Sequence, residues 1–374
     1  MQTNSNPAQS WGIISFLLPK PILQNEKKTM NRFLINAIFR YISPYQAILP
    51  YNLNWMARGR MATLITDAHL APITVLDVGC RGGLPEELDP LRRIVHHIGF
   101  DADEKECERM NAQSHDLYRR DIFPVFVGGQ NGDADFHQFS SRGESSGLLP
   151  DPRFAALFAG PNFVVDRTMR VKTTTLDSFF LSNPALSRPD MIKLDTQGTE
   201  LSILKGAEAC LKTASMVEVE VEFLPLYEGQ ALFEDVLAFM RSHGFELLFL
   251  NRVFQQRRAF TGWSKGQLTF GDALFARRED HLDAIDDEAV KKYIVLLLNY
   301  GYLDIAQSIL EKRDFPAGVK DAFSKHLRRR IGRWPVNLLK RILIPQIDKA
   351  ILLLLYARRH NSLRIDSDRS WPFR

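Results

Sequence analysis

Four acidic residues stand at or near the ends of apolar runs: Asp77, Asp101, Asp195 and Glu222. In an open α/β sheet, ligands collect beyond the carboxyl ends of the strands, so acids there are placed for chemistry. Asp77 opens a glycine turn, Asp77-Val78-Gly79-Cys80-Arg81-Gly82-Gly83. Glycines let the backbone approach a ligand closely. A helix beginning just after such a turn adds free N–H groups and partial positive charge. Asp101 closes the next apolar run, where a carboxylate accepts hydrogen bonds from ribose hydroxyls. Gly128 closes a third run and is expected against an adenine ring.

The turn does not have the G-x-G-x-x-G spacing of a dinucleotide site. It also begins with an acid, which would repel a pyrophosphate. S-adenosylmethionine carries no phosphate, and its amino and sulfonium groups are cationic, so Asp77 suits it. The expected cofactor is therefore S-adenosylmethionine, held by Asp77, Gly79, Arg81, Gly82, Gly83, Asp101 and Gly128. A nucleotide-binding oxidoreductase is disfavoured by the missing spacing. The plainer alternative is a glycine turn that only joins a strand to a helix.

A sulfonium is already an activated methyl donor, so most of the catalytic work is positioning. An aliphatic hydroxyl acceptor gains a further ~10²–10⁴-fold from a general base. Glu218, Glu220 and Glu222 alternate with valines, which puts them on one strand face. Glu218 and Glu220 read as an ion-pair cluster with Lys193. Glu222, nearest the carboxyl end, is a candidate base or acceptor ligand. Asp195 ends a strand ahead of a glycine turn and is the other catalytic candidate, against the alternative of a helix cap. On the acceptor side stand Ser146, beside Ser145, and Tyr227 as a ring wall; the serines read equally as turn residues. His69, His137 and His243 read as surface or core histidines, and no spacing suggests a metal.

The elements that must position these residues alternate. Strand patterns cover Ile73–Val78, His97–Phe100, Pro124–Val127, Met191–Leu194, Met216–Phe223, Phe245–Leu250 and Gln267–Ala276. Helical patterns cover Pro85–Val95, Glu104–Gln113, Glu200–Leu211 and Phe233–His243. Such alternation predicts βαβ units and a parallel sheet, with the last two strands paired antiparallel. Residues 129–175 hold no long period and read as an irregular insert that covers the active site or forms a small subdomain. After Glu279 the pattern is helical throughout. The expected organisation is an N-terminal arm over 1–60, a catalytic domain over 61–279 and a basic helical region over 280–374.

From Leu64 to Arg277 the chain resembles the FkbM-type methyltransferases. The resemblance rests on Leu76 to Gly83 with Gly99-Phe100-Asp101, and on Thr173 to Asp177. It rests also on Asp190-Met191-Ile192-Lys193-Leu194-Asp195-Thr196-Gln197-Gly198-Thr199-Glu200-Leu201, Leu204-Lys205-Gly206-Ala207 and Val219 to Phe223 with Pro225-Leu226-Tyr227. The family often has Glu-Pro where this chain has Asp101-Ala102; an acid is retained. The resemblance implies a class I methyltransferase Rossmann-like fold, with seven strands ordered 3-2-1-4-5-7-6. It also implies methyl transfer to a hydroxyl, often on a sugar, glycan or polyketide.

Composition is compatible with this. The 374 residues are 45% hydrophobic and 25% charged, an ordinary globular balance. A net charge of +4 argues against a dedicated nucleic-acid binder. Three scattered cysteines, Cys80, Cys107 and Cys210, fit a reducing cytoplasm. The apolar runs Trp11–Leu18 and Ala350–Tyr356 are too short to span a bilayer. Residues 325–360 mix basic and apolar side chains, which suits contact with an anionic membrane surface or a solvated helix on the catalytic domain. The expected partner is a small-molecule or glycan acceptor, and the competing class is a non-catalytic scaffold or membrane-surface adaptor keeping the fold.

Overall fold

The computed structural model describes residues 57–160, 163–261 and 266–331. Helix α1 (Ala57–Asp67) leads into β1 (Ile73–Val78), a 3₁₀ helix over Glu86–Ile94, β2 (Val95–Phe100), α2 (Glu104–Ala112) and β3 (Arg119–Phe123). An insert follows, with β4 (Phe126–Val127), β5 (Gly132–Phe139), α3 (Pro152–Leu157) and β6 (Val165–Thr174). Then come α4 (Leu176–Ser182), β7 (Met191–Leu194), α5 (Glu200–Lys205), α6 (Glu208–Thr213), β8 (Met216–Glu222) and α7 (Phe233–Ser242). The chain continues through β9 (Phe245–Gln255) and β10 (Gln267–Arg277) to α8 (Asp287–Tyr300), α9 (Leu303–Lys312) and α10 (Ala317–Ile331).

Seven strands form one sheet in the order β3-β2-β1-β7-β8-β10-β9. Counted by its own strands, that is the expected 3-2-1-4-5-7-6. Strand β10 runs antiparallel between β8 and β9, and the other pairings are parallel. Leu76 and Val78 of β1 join Ile192, Val217 and Val219 in the core covered by α4 to α7. On the opposite face, Ile73, Val75, Met191 and Met216 join residues of α8 to α10. Toward the carboxyl ends of this second face, alternation replaces the apolar residues with Asp77, Lys193, Glu218, Glu220 and Glu222. The register sets Lys193 opposite Asp77 on one side and Glu218 on the other.

The helices after residue 280 share this core. Val295, Leu296, Leu297 and Leu298 are all fully buried in it. Position 280 thus marks a change from strand to helix within one core, not a gap between two. The arm over 1–60 lies outside the described residues up to residue 56, and so does the basic stretch from residue 332 on. Among the described residues, no helix is long and apolar enough to cross a membrane.

Several elements depart from expectation. The third strand of the large sheet is Arg119–Phe123, an edge strand whose polar start hides it, while Phe126–Val127 pairs instead with β6. The insert is not irregular: β4, β6 and β5 form a second, three-stranded sheet. The stretch Glu200–Leu211 is two helices, because the Asp177 carboxylate accepts from Ala209 N–H at 2.8 Å and Cys210 N–H at 3.0 Å and starts α6 afresh. The turn after Gly83 leads into a 3₁₀ helix containing Pro90.

Candidate active site

A cavity of about 770 Å³ opens between the carboxyl ends of β1, β2 and β7 and the small sheet. Its strand-end wall includes Gly79, Arg81, Phe100, Asp101, Asp103 and Asp195, and its insert wall includes Phe126, Phe136, Gln138, Arg142, Arg167 and Met169. That volume lies within the usual range for a cofactor or ligand site.

Gly79 ends β1 with φ +83°, and a Cβ there would lie 2.0 Å from the Asp195 carbonyl oxygen. The glycine is required by the crossing of β1 and β7 rather than by ligand space. Gly79 and Cys80 both donate their N–H groups to the Phe100 carbonyl, at 2.9 and 3.2 Å. The turn's amides therefore knit β1 to β2. Gly82 and Gly83 shape the turn with positive φ but do not line the cavity. Gly128 is also set back, packed so that a Cβ would meet Thr173 Oγ1 at 2.4 Å.

Asp101 follows β2 and lines the cavity. Its carboxylate accepts from Asp103 N–H at 2.8 Å, and Arg81 Nε lies 3.6 Å away. Burial raises its pKa, partly offset by that N–H and by Arg81. Arg81 also reaches Asp103 at 3.2 Å, and Asp103 caps α2. The Asp101 carboxylate is thus held in place from two sides.

Asp77 does not reach the cavity. It is 1% exposed, and its carboxylate lies 3.2 Å from His97 Nε2 and 3.9 Å from Lys193 Nζ. The register turns it onto the Lys193 face, so it supports the site from behind instead of touching a ligand. Lys193 in turn lies 3.5 Å from Asp195 Oδ2. Burial pulls the lysine pKa down, but Asp77, Asp195 and Glu218 outweigh it and hold it well above the ordinary value.

Asp195 keeps a 43% exposed side chain on the cavity. Its Oδ1 accepts from Gln197 Nε2 at 3.0 Å. Gln197 was not singled out by sequence reasoning, yet it is the hub here. The same Nε2 donates to Glu220 Oε2 at 2.7 Å, and Gln197 Oε1 accepts from Tyr227 Oη at 3.0 Å. Ser146 Oγ donates to the Gln197 carbonyl at 2.6 Å. These bonds hold Gln197 at φ +59°, a left-handed conformation that costs a non-glycine residue on the order of 1 kcal/mol. The one signal for it was its place directly before Gly198 at a strand end.

Tyr227 and Glu222 need correcting. Tyr227 is fully buried against Phe139 and Phe163, and its hydroxyl serves Gln197 and the Glu144 carbonyl, so it positions the site and does not wall an acceptor. Glu222 is 2% exposed and absent from the cavity wall. Burial, then Glu200 and Asp195, push its pKa well up. Ser146 does line the cavity, although its hydroxyl is already engaged. Of the two catalytic candidates, Asp195 alone faces the open space.

Residues 85–247 match the model of the methyltransferase FkbM domain. The chain carries an FkbM methyltransferase domain. It is 28% identical over 181 residues to the 2-O-methyltransferase NoeI of Sinorhizobium fredii (strain NBRC 101917 / NGR234), a match covering 46% of this chain and 72% of that relative. Among solved structures, it aligns with the magnesium protoporphyrin IX methyltransferase of Synechocystis PCC 6803 with bound SAM, at 13% identity and TM-score 0.30, over 59% of this chain and 78% of that one. It aligns likewise with the precorrin-6y C5,15-methyltransferase of Geobacter metallireducens GS-15, at 10% identity and TM-score 0.30, over 58% of this chain and 87% of that one. With the strand order above, the chain is an S-adenosylmethionine-dependent methyltransferase.

Proposed function

We propose that this methyltransferase transfers its methyl group to a hydroxyl of a saccharide, with Asp195 as the general base. The observation that carries the reading is the cavity that sets Gly79, Asp101 and Asp195 on one wall against the aromatic, amide-bearing insert face on the other. The donor half fits S-adenosylmethionine: Asp101 would accept from the ribose hydroxyls, and Phe100, Val125 and Val127 offer apolar lining for an adenine ring. Bound there, S-adenosylmethionine supplies a methyl group on a good leaving group. The chain's own residues exclude water, orient the acceptor and take up its hydroxyl proton at Asp195. Similarity to a 2-O-methyltransferase supports oxygen as the acceptor atom.

The test is transfer of labelled methyl from S-adenosylmethionine to a panel of oligosaccharides, with the product position read by NMR. Product methylated on oxygen is expected. Label appearing only on nitrogen or carbon acceptors, with saccharides untouched, overturns the hydroxyl reading. Failure of S-adenosylhomocysteine to stabilise the protein against heat would instead favour a non-catalytic scaffold.

A further inference from the structure

Residues Phe136 and Gln138 of β5 pair in register with Met169 and Arg167 of β6. Side chains two apart share a face, and all four line the cavity. Phe126 packs edge-on against Phe136, with ring centroids 5.3 Å apart, at the same wall. Just beyond β5, Arg142 completes it. The opposite face of the same strands is neutralised: Asp135 pairs with Arg170, and Asp133 with Lys172. The cavity face is not. The Arg142 guanidinium has no hydrogen-bond or ion-pair partner among the described residues, and the Arg167 guanidinium donates to the Met169 sulfur.

No carboxylate of the insert lines the cavity. Asp166 is engaged by Ser140, and Glu144 does not line the cavity. The acids of the cavity, Asp101, Asp103, Glu104 and Asp195, lie on the other wall, where Arg81 answers Asp101 and Asp103 and Lys193 answers Asp195. Two guanidinium groups thus stand over an aromatic and amide surface with no counter-charge. Guanidinium groups bind carboxylate and phosphate oxygens through paired N–H donors.

We propose that Arg142 and Arg167 recognise an anionic group, a carboxylate or phosphate, carried by the saccharide acceptor. This rests on the reading of the chain as a saccharide methyltransferase. The ring would lie against Phe136 and Gln138 while the arginines select the charge. A methionine carboxylate on the donor offers the same chemistry, so the experiment separates the two.

Full-length protein saturated with S-adenosylhomocysteine is titrated with D-glucuronate, glucose 6-phosphate and D-glucose, and the titration is repeated on R142Q, R167Q and the double variant. Both anionic sugars are expected to bind at least about ten-fold more tightly than glucose, a preference that weakens with added salt. The double variant should lose that preference while its affinity for S-adenosylhomocysteine stays within about two-fold. Equal binding of charged and neutral sugars, or no binding of any, overturns the proposal. So does a double variant that keeps the preference, or one that loses about ten-fold in S-adenosylhomocysteine affinity, since the arginines would then hold the donor. Arginine-dependent anion preference without methyl transfer to any saccharide hydroxyl would overturn the proposed function and leave this site standing.

Discussion

Along the strand-end wall, His97, Asp77, Lys193 and Asp195 follow one another at 3.2, 3.9 and 3.5 Å, with Gln197 fixed on the far side of Asp195 by Tyr227 and Glu220. Along the insert wall, the Arg142 guanidinium has no partner among the described residues, and that of Arg167 leans on a methionine sulfur. The first wall is buried and over-determined, so a change there propagates through neighbours that cannot relax. The second is a small sheet whose arginines are exposed and whose other cavity side chains are half-buried, so they can vary with less disturbance of the core. Chemistry common to a fold belongs on the first kind of wall, and selection of an acceptor on the second.

The sharpest way to break the comparison is at Gly79. Gly79→Val adds a side chain at φ +83°, with its Cβ 2.0 Å from a carbonyl that cannot yield without parting β1 from β7. Destabilisation of about 3 kcal/mol or more is expected by thermal melting with or without ligand. A stable variant that merely fails to bind S-adenosylhomocysteine would show that the glycine serves ligand space. Next in size, Asp195→Asn should lower turnover by ~10²-fold or more while donor affinity changes by a few-fold at most. Gln197→Ala should give a smaller loss, about ten-fold in kcat, with Gln197→Glu failing to rescue, since a second carboxylate would face Asp195 and Glu220. Full activity in both Asp195→Asn and Gln197→Ala would remove the base from this wall.

What was legible in the sequence follows the same division. The order of strands was implied by the family resemblance, whereas Gly79, Asp101 and Asp195 were readable because a buried parallel strand prints an apolar run and its end is unambiguous. Asp77 and Glu222 were correctly placed near strand ends but given the wrong surroundings. Register, not sequence position, decides which face a side chain takes, and it turned Asp77 toward Lys193 and His97. Strand β6, Val165–Thr174, escaped notice because one face looks to the cavity and the other to solvent, so no apolar stripe marks it. Edge strand β3 was missed for a like reason, its polar Arg119-Arg120-Asp121 start hiding the apolar end. Gln197 was hidden because a hub is defined by partners distant in sequence.

Between the walls, Asp101→Ala sharpens the donor assignment. Loss of a charged acceptor for the ribose should weaken S-adenosylhomocysteine binding by about 1.5–3 kcal/mol, seen by calorimetric titration. Arg81 would then be left with Asp103 alone, so the fold should hold. An unchanged affinity would move the donor away from β2.

The smallest effect expected is a pH dependence seated in the buried wall. Glu200 is 2% exposed, and burial pushes its pKa up to about 7 from the ordinary 4.5. Its Oε1 accepts from both the N–H and the hydroxyl of Thr196, at 2.7 and 3.0 Å, bonds that a neutral carboxyl oxygen also accepts. A carboxyl whose folded pKa is raised binds its proton more tightly when folded. Its contribution to stability is complete below about pH 4.5 and is lost as pH rises through about 7. The span between those values corresponds to at most about 3 kcal/mol. Glu220 and Glu222 are raised too and act in the same direction. His96, lowered by burial, acts oppositely: its contribution is present above about pH 6.5 and fades on acidification. Depressed surface carboxylates such as Glu106 and Glu279 change only below their ordinary range. Comparing Glu200→Gln with the parent cancels these shared terms. The variant, neutral at every pH, should lose less stability between pH 5 and about pH 8 in urea unfolding, so the two curves diverge as pH rises. Parallel curves would mean that Glu200 is charged in the folded protein, and the buried wall would then hold more negative charge than its closed hydrogen bonding implies.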